Sequence, residues 1–221
     1  MKNLNCLCVI ALMAACAGEP TIDTAADAEL SFDGLSPVSN SRFANAWADP
    51  DIDFTVYNKI IVGNAEFEFR AVKQNASTSS MRHSSDTEHW ISDENKQKLV
   101  DEVSAVFAEE MKKSKNFTFV EDPGPDVLYL VGALHDIVSR VPPDRIGRSE
   151  VFLSSVGEAT LVLEARDSLS GETIYRAVER RNMERTGTGT RANSVTTWSE
   201  VRRLARRWAT TLVEGLDAIH E

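Results

Sequence analysis

The stretch Glu158-Ala-Thr-Leu-Val-Leu-Glu-Ala-Arg166, then Asp167-Ser-Leu-Ser-Gly-Glu172, then Thr173-Ile-Tyr-Arg-Ala-Val-Glu-Arg-Arg-Asn-Met-Glu184 decides the fold. In its first part Ala159, Leu161, Leu163 and Ala165 alternate with Glu158, Thr160, Val162, Glu164 and Arg166. A period of two puts one set on a buried face of a strand and the other on the opposite face. The middle part is polar, and Gly171 supplies the positive φ that a tight hairpin turn needs. The third part returns as the partner strand. An antiparallel hairpin therefore anchors the sheet.

Working outward, Asp126 to Arg140 contains Val-Leu-Tyr-Leu-Val-Gly-Ala-Leu-His-Asp-Ile-Val-Ser and is apolar on both faces, as a central strand is. Asp122-Pro-Gly-Pro125 separates it from a short strand over Phe117 to Glu121. Tyr57 to Val72 reads as strand, with Ala65, Phe67 and Phe69 facing one way and Glu66, Glu68 and Arg70 the other. Gly63-Asn64 marks a turn or a bulge within it.

Two helices complete the pattern. Ser92 caps the first, which runs to Lys113, with Asp93 and Glu94 in its first turn and Leu99, Val103, Val106 and Phe107 on one face. The second runs from Thr197 to Ile219. Thr197 and Glu200 predict a capping box, and Trp198, Val201, Leu204, Trp208, Leu212 and Leu216 follow helical spacing. Arg202, Arg203, Arg206 and Arg207 fall on its outer side, expected to be a solvated face. The predicted class is α+β: a mostly antiparallel sheet with two main helices packed on one face.

The N-terminus carries an address. Met1-Lys2-Asn3 precedes a short apolar run, Leu4 to Met13, and then Ala14-Ala15-Cys16. That run is too short to cross a bilayer, which takes about 20 apolar residues. Small residues directly before a cysteine are the pattern of a bacterial lipoprotein signal, cleaved ahead of Cys16 with lipid placed on its sulfur. Residues 1–15 are thus expected to be a signal peptide. Palmitate-type acyl chains on Cys16 would hold the protein to a membrane; more than one chain is needed for stable anchoring. Ala17, rather than aspartate, implies passage to the outer membrane. Cys6 and Cys8 would leave with the signal, so the mature chain would have no free thiol and no disulfide. Residues 16–50 are expected to be a flexible acidic tether, interrupted by Pro20 and Pro37, with Phe32, Leu35, Phe43 and Trp47 docking its later half. Residues 51–221 would then be one domain.

A formal net charge of −10 argues against nucleic acid, whose phosphates require a basic surface.

The quoted hairpin, together with Asp126-Val-Leu-Tyr-Leu-Val-Gly-Ala-Leu, Arg176-Ala-Val-Glu-Arg-Arg, the N-terminal signal and the closing helix, resembles the Gram-negative lipoproteins grouped as domain of unknown function 3313. The resemblance covers most of the chain after Trp47. It implies an envelope location and an α+β domain, and it brings no catalytic residues with it.

Candidate chemistry is thin. His135 and Asp136 are neighbours on a strand, so regular alternation points them to opposite faces and denies them a dyad. His83, Asp86, Glu88 and His89 fit no metal-ligand spacing, and Ser154-Ser155 lacks a nucleophile elbow. Gly187-Thr-Gly-Thr-Arg191 lacks the Gly-Lys-Ser/Thr ending of a phosphate loop. No cofactor is expected. Arg140, Arg145, Arg148 and Arg191 lie in two loops and are the candidate interaction residues, for an anion or a partner. The expected protein is a non-enzymatic, outer-membrane-anchored lipoprotein facing the periplasm, attached to the membrane through its N-terminal lipid and presenting its domain to an envelope protein partner. A small-ligand or lipid-binding accessory of a transport system is the alternative, and a hydrolase the third.

Overall fold

The computed structural model describes residues 18–72, 88–141, 155–184 and 194–220. The chain forms β1 (Thr21–Ile22), β2 (Ser36–Ser39), β3 (Asn45–Ala48), β4 (Lys59–Val62), β5 (Glu66–Phe69), α1 (Asp93–Met111), β6 (Thr118–Phe119), β7 (Val127–Ser139), β8 (Ser155–Asp167), β9 (Thr173–Glu184) and α2 (Ser194–Asp217). The strands make one sheet in the order β1-β2-β3-β9-β8-β7-β4-β6, with β5 also paired to β7. The expected class holds: β1 to β3 and β7 to β9 pair antiparallel throughout. Only β4 and β5 break the pattern. Both run parallel to β7, one after the other along the same side, with β6 parallel to β4.

Both helices lie on one face. Leu99 and Val103 of α1 and Val201, Leu204, Ala205 and Trp208 of α2 are buried against the strands. The inward row of β8 is the one expected: Ala159, Leu161, Leu163 and Ala165 are all buried. Gly171 takes the hairpin turn at φ 76°. Ser92 caps α1 by accepting from the Asn95 N–H at 3.3 Å.

Five expectations need correction. Residues 18–50 are not a free tether. β3 pairs with β9 over Asn45↔Val178 to Ala48↔Tyr175, and β2 and β1 follow outward. Leu35, Phe43, Ala46 and Ala48 are buried there. The composition looked too polar to fold, but the open edge of β9 supplies hydrogen-bond partners, and alanines suffice where the edge packs thinly. Phe32, expected to dock, is instead 91% exposed. The second helix begins three residues early, at Ser194, so Thr197 lies within it and is not its cap. Its outer arginines are not simply solvated either. Arg202 reaches Glu102 of α1 at 3.0 Å, and Arg206 reaches the buried Glu110 at 3.1 Å. These pairs stitch the two helices together.

The fifth concerns His135 and Asp136. Leu134 and Ile137 are both buried and line the same gap under the helices. Residues three apart cannot share a face of a regular strand. A bulge resolves this: pairing with β8 jumps from His135↔Thr160 to Val138↔Glu158, and pairing with β5 jumps from Phe67↔Leu134 to Phe69↔Ile137. Asp136 takes φ 55°, in the left-handed region. The extra residue lets Ile137 enter the core while Asp136 stays out of it.

Candidate interaction face

The face of the sheet opposite the helices is where the polar residues gather. It follows from the same alternation: Glu158, Thr160, Val162, Glu164 and Arg166 of β8 stand beside Asn182, Arg180, Val178 and Arg176 of β9. Two ion networks sit on it, with Val162, Val178 and Ala133 half-buried in between.

The first network surrounds the bulge. Arg70 Nε donates to Asp136 Oδ1 at 2.6 Å, its Nη2 donates to Asp136 Oδ2, and its Nη1 donates to Glu88. Arg180 lies 3.1 Å from Asp136 and donates to Glu158 at 2.6 Å. Arg140 donates to the other oxygen of Glu158 at 3.2 Å. The hydrogen bonds from Arg70 hold the Asp136 carboxyl below its ordinary value. Three guanidiniums face three carboxylates, so the cluster is balanced in charge. It can brace the bulge.

The second network fixes a loop. Arg176, whose side chain is only 9% exposed, donates through Nη1 and Nη2 to the two oxygens of Asp33 at 2.7 and 2.5 Å, and through Nε to Glu164 at 2.9 Å. Arg166 closes the set on Glu164 at 2.5 Å. The hydrogen bonds from Arg176 pull the Asp33 carboxyl down to about 2. The turn carrying Asp33 is tied internally as well. Ser31 Oγ donates to Asp33 at 2.6 Å and accepts from the Leu35 N–H at 2.9 Å, and the Ser31 N–H donates to the Leu35 carbonyl at 2.9 Å. At its tip Phe32 lies 4.5 Å from the Arg176 guanidinium carbon, and Leu30 beside it is 56% exposed. This turn carries no periodic signal in the sequence. Its one cue was an aromatic residue set in Ser-Phe-Asp-Gly, residues that favour a tight turn.

Of the candidate arginines, Arg140 joins the first network, while Arg145, Arg148 and Arg191 lie outside the described residues. So do Cys16, His83, Asp86, Ser154 and the Gly187–Arg191 segment. The strand ends flanking the two arginine-bearing connections are adjacent, since Ser139 pairs with Gly157 and Ser155 with Glu184. His135 contacts Glu68 at 2.7 Å, apart from the Asp136 cluster, so the two form no dyad. Among the described residues no group of three or more His, Cys, Asp or Glu side chains is placed to hold a metal ion. None of the described helices is long and apolar enough to cross a membrane. Between the helices and the sheet, Leu99, Leu134, Ile137, Leu204 and Trp208 help line an apolar gap of about 20 Å3, room for roughly one water.

An α+β domain with two ion networks on the sheet face opposite the helices is what the geometry defines. Residues 25–212 match the family described as a protein of unknown function, DUF3313, and the chain belongs to that family. No curated protein matches it. Similar solved structures include the PelC dodecamer from Paraburkholderia phytofirmans (11% identity, 76% of this chain and 94% of that one, TM-score 0.36). Protein XCC0632 from Xanthomonas campestris is another (11% identity, 78% and 90%, TM-score 0.43). A third is a putative neuraminyllactose-binding hemagglutinin homolog from Helicobacter pylori (9% identity, 78% and 89%, TM-score 0.39).

Proposed function

We propose that the protein is a non-enzymatic lipoprotein, anchored to the outer membrane through Cys16 and facing the periplasm, whose domain binds another envelope protein. The observation that carries the binding role is Phe32. A 91% exposed aromatic stands at the tip of a turn that is fixed by its own hydrogen bonds and by Arg176. Aromatic residues are the commonest anchors of protein interfaces, and a pre-ordered turn loses little entropy on binding. The networks on the face are charge-balanced, so affinity would come from Phe32 and Leu30, with the charges setting register.

A photo-crosslinking residue in place of Phe32, activated in intact envelopes, tests the reading. Adducts to a discrete protein are expected from position 32 and not from exposed Arg207 on α2. Adducts to lipid alone, or equal adducts from both positions, would contradict it. For the anchor, Cys16→Ser is expected to move the protein from the membrane to the soluble fraction.

A further inference from the structure

The start of the folded region lies much nearer Cys16 than composition suggested. Asn40 Nδ2 donates to the Glu19 carbonyl at 3.3 Å. A Cβ on Gly18 would stand 2.9 Å from that same nitrogen, so the chain is already pressed against the fold at residue 18. Thr21 and Ile22 pair with Ser39 and Val38, and the Asp23 N–H donates to the Pro37 carbonyl at 2.8 Å. Cys16 precedes Gly18 by two residues, and two fully extended residues reach only ~7 Å. A thirty-residue coil would have ranged over about 30 Å.

We propose that the acylated domain is seated directly on the lipid surface by its β1–β2 edge and the turn at residues 39–42, on a leash of two residues. This rests on the acylation of Cys16 argued above. The occupant of that edge is the headgroup layer of the leaflet holding the acyl chains, because chain length keeps the edge within ~7 Å of the acylated cysteine. Charge does not do the holding. Glu19 and Asp23 are acidic, and Arg42 in the turn is engaged by Glu214 at 3.0 Å. The short leash also orients the domain: β6, the far edge, is six strand spacings from β2, roughly 29 Å, and points away from the membrane.

The test uses the full lipoprotein, reconstituted into phosphatidylethanolamine and phosphatidylglycerol vesicles that carry an acceptor dye on their headgroups. A donor dye is attached through Ser39→Cys or Thr118→Cys, both exposed positions. Energy transfer is expected to be severalfold stronger from position 39. The difference should collapse when about twelve Gly/Ser residues, with an r.m.s. reach of ~19 Å, are inserted between Ala17 and Gly18. Equal transfer from both positions without the insert, or a difference that survives it, would overturn the proposal. Failure of the lipoprotein reading shows itself separately. The uninserted protein would not float with vesicles, or Cys16→Ser would float equally well, and either result removes both readings.

Discussion

Arg70 clamps Asp136 with two hydrogen bonds, one to each carboxylate oxygen, and so pins the one residue of β7 that has left-handed backbone geometry. The clamp and the bulge depend on each other. Without the bulge Asp136 would face the helices and Ile137 would face out. Without the clamp nothing rewards a non-glycine residue at φ 55°. Asp136→Gly loses the clamp but accepts the backbone. Asp136→Val loses the clamp and adds a β-branched side chain in the left-handed region. Urea denaturation is expected to find the valine variant less stable than the glycine variant by about 1–2 kcal/mol. Equal stabilities would mean that the bulge rearranges freely.

Gly157 stands where β7 and β8 resume pairing after the bulge, opposite Ser139. A Cβ there would lie 2.2 Å from the Val138 carbonyl oxygen, and backbone cannot step aside as a flexible side chain does. Gly157→Ala is expected to cost about 3 kcal/mol, read from the same denaturation curves.

Trp208 is buried under the helices, and no acceptor among the described residues reaches its indole N–H. Trp208→Ala removes a large core side chain and is expected to cost about 3–5 kcal/mol. Trp208→Phe removes the unsatisfied N–H along with some area, so its cost is expected to stay below about 1.5 kcal/mol. A phenylalanine variant as unstable as the alanine one would show that the N–H has a partner.

Acid should release the Phe32 turn. Asp33 titrates near 2 in the folded protein against an ordinary 3.8, because Arg176 stabilises its charged form. A lowered folded pKa gives stability that is fully present above the unfolded value and lost as pH falls through the folded one. Thermal midpoints should therefore decline between about pH 4 and pH 2. Asp33→Asn should lower stability at neutral pH and flatten part of that decline. Asp136, Glu110, Asp167 and Asp217 are lowered too, and they add to the same acid limb.

Much of this fold could be read from side-chain period. β8 alternates and α1 recurs at helical spacing, β9 follows as the hairpin partner of β8, and β7 is apolar on both faces, as a central strand is. The hairpin turn fixed the direction of β9 against β8, but where no tight turn joins two strands a period of two is the same in parallel and antiparallel pairs; the parallel pairing of β4 and β5 with β7 had to come from the structure. The bulge was hidden for a related reason: an inserted residue breaks alternation at one point only. Residues 18–50 were illegible because their order comes from the edge of β9, a long-range partner that local composition does not encode. The candidate face inherits that difficulty. Asp33 and Arg176 lie far apart in sequence, and only the fold brings them together.

Phe32 bears the weight of the functional reading, and its exposure allows a clean separation of binding from folding. Phe32→Ala should shift stability by no more than about 0.5 kcal/mol, since the side chain is almost wholly solvated. The decisive measurement is the yield of crosslinked complex from intact envelopes, wild type against Phe32→Ala, using a lysine-reactive reagent and matched expression. A discrete complex is expected, lost or strongly reduced in the variant while its thermal midpoint is unchanged. An equally abundant complex in the variant would contradict it.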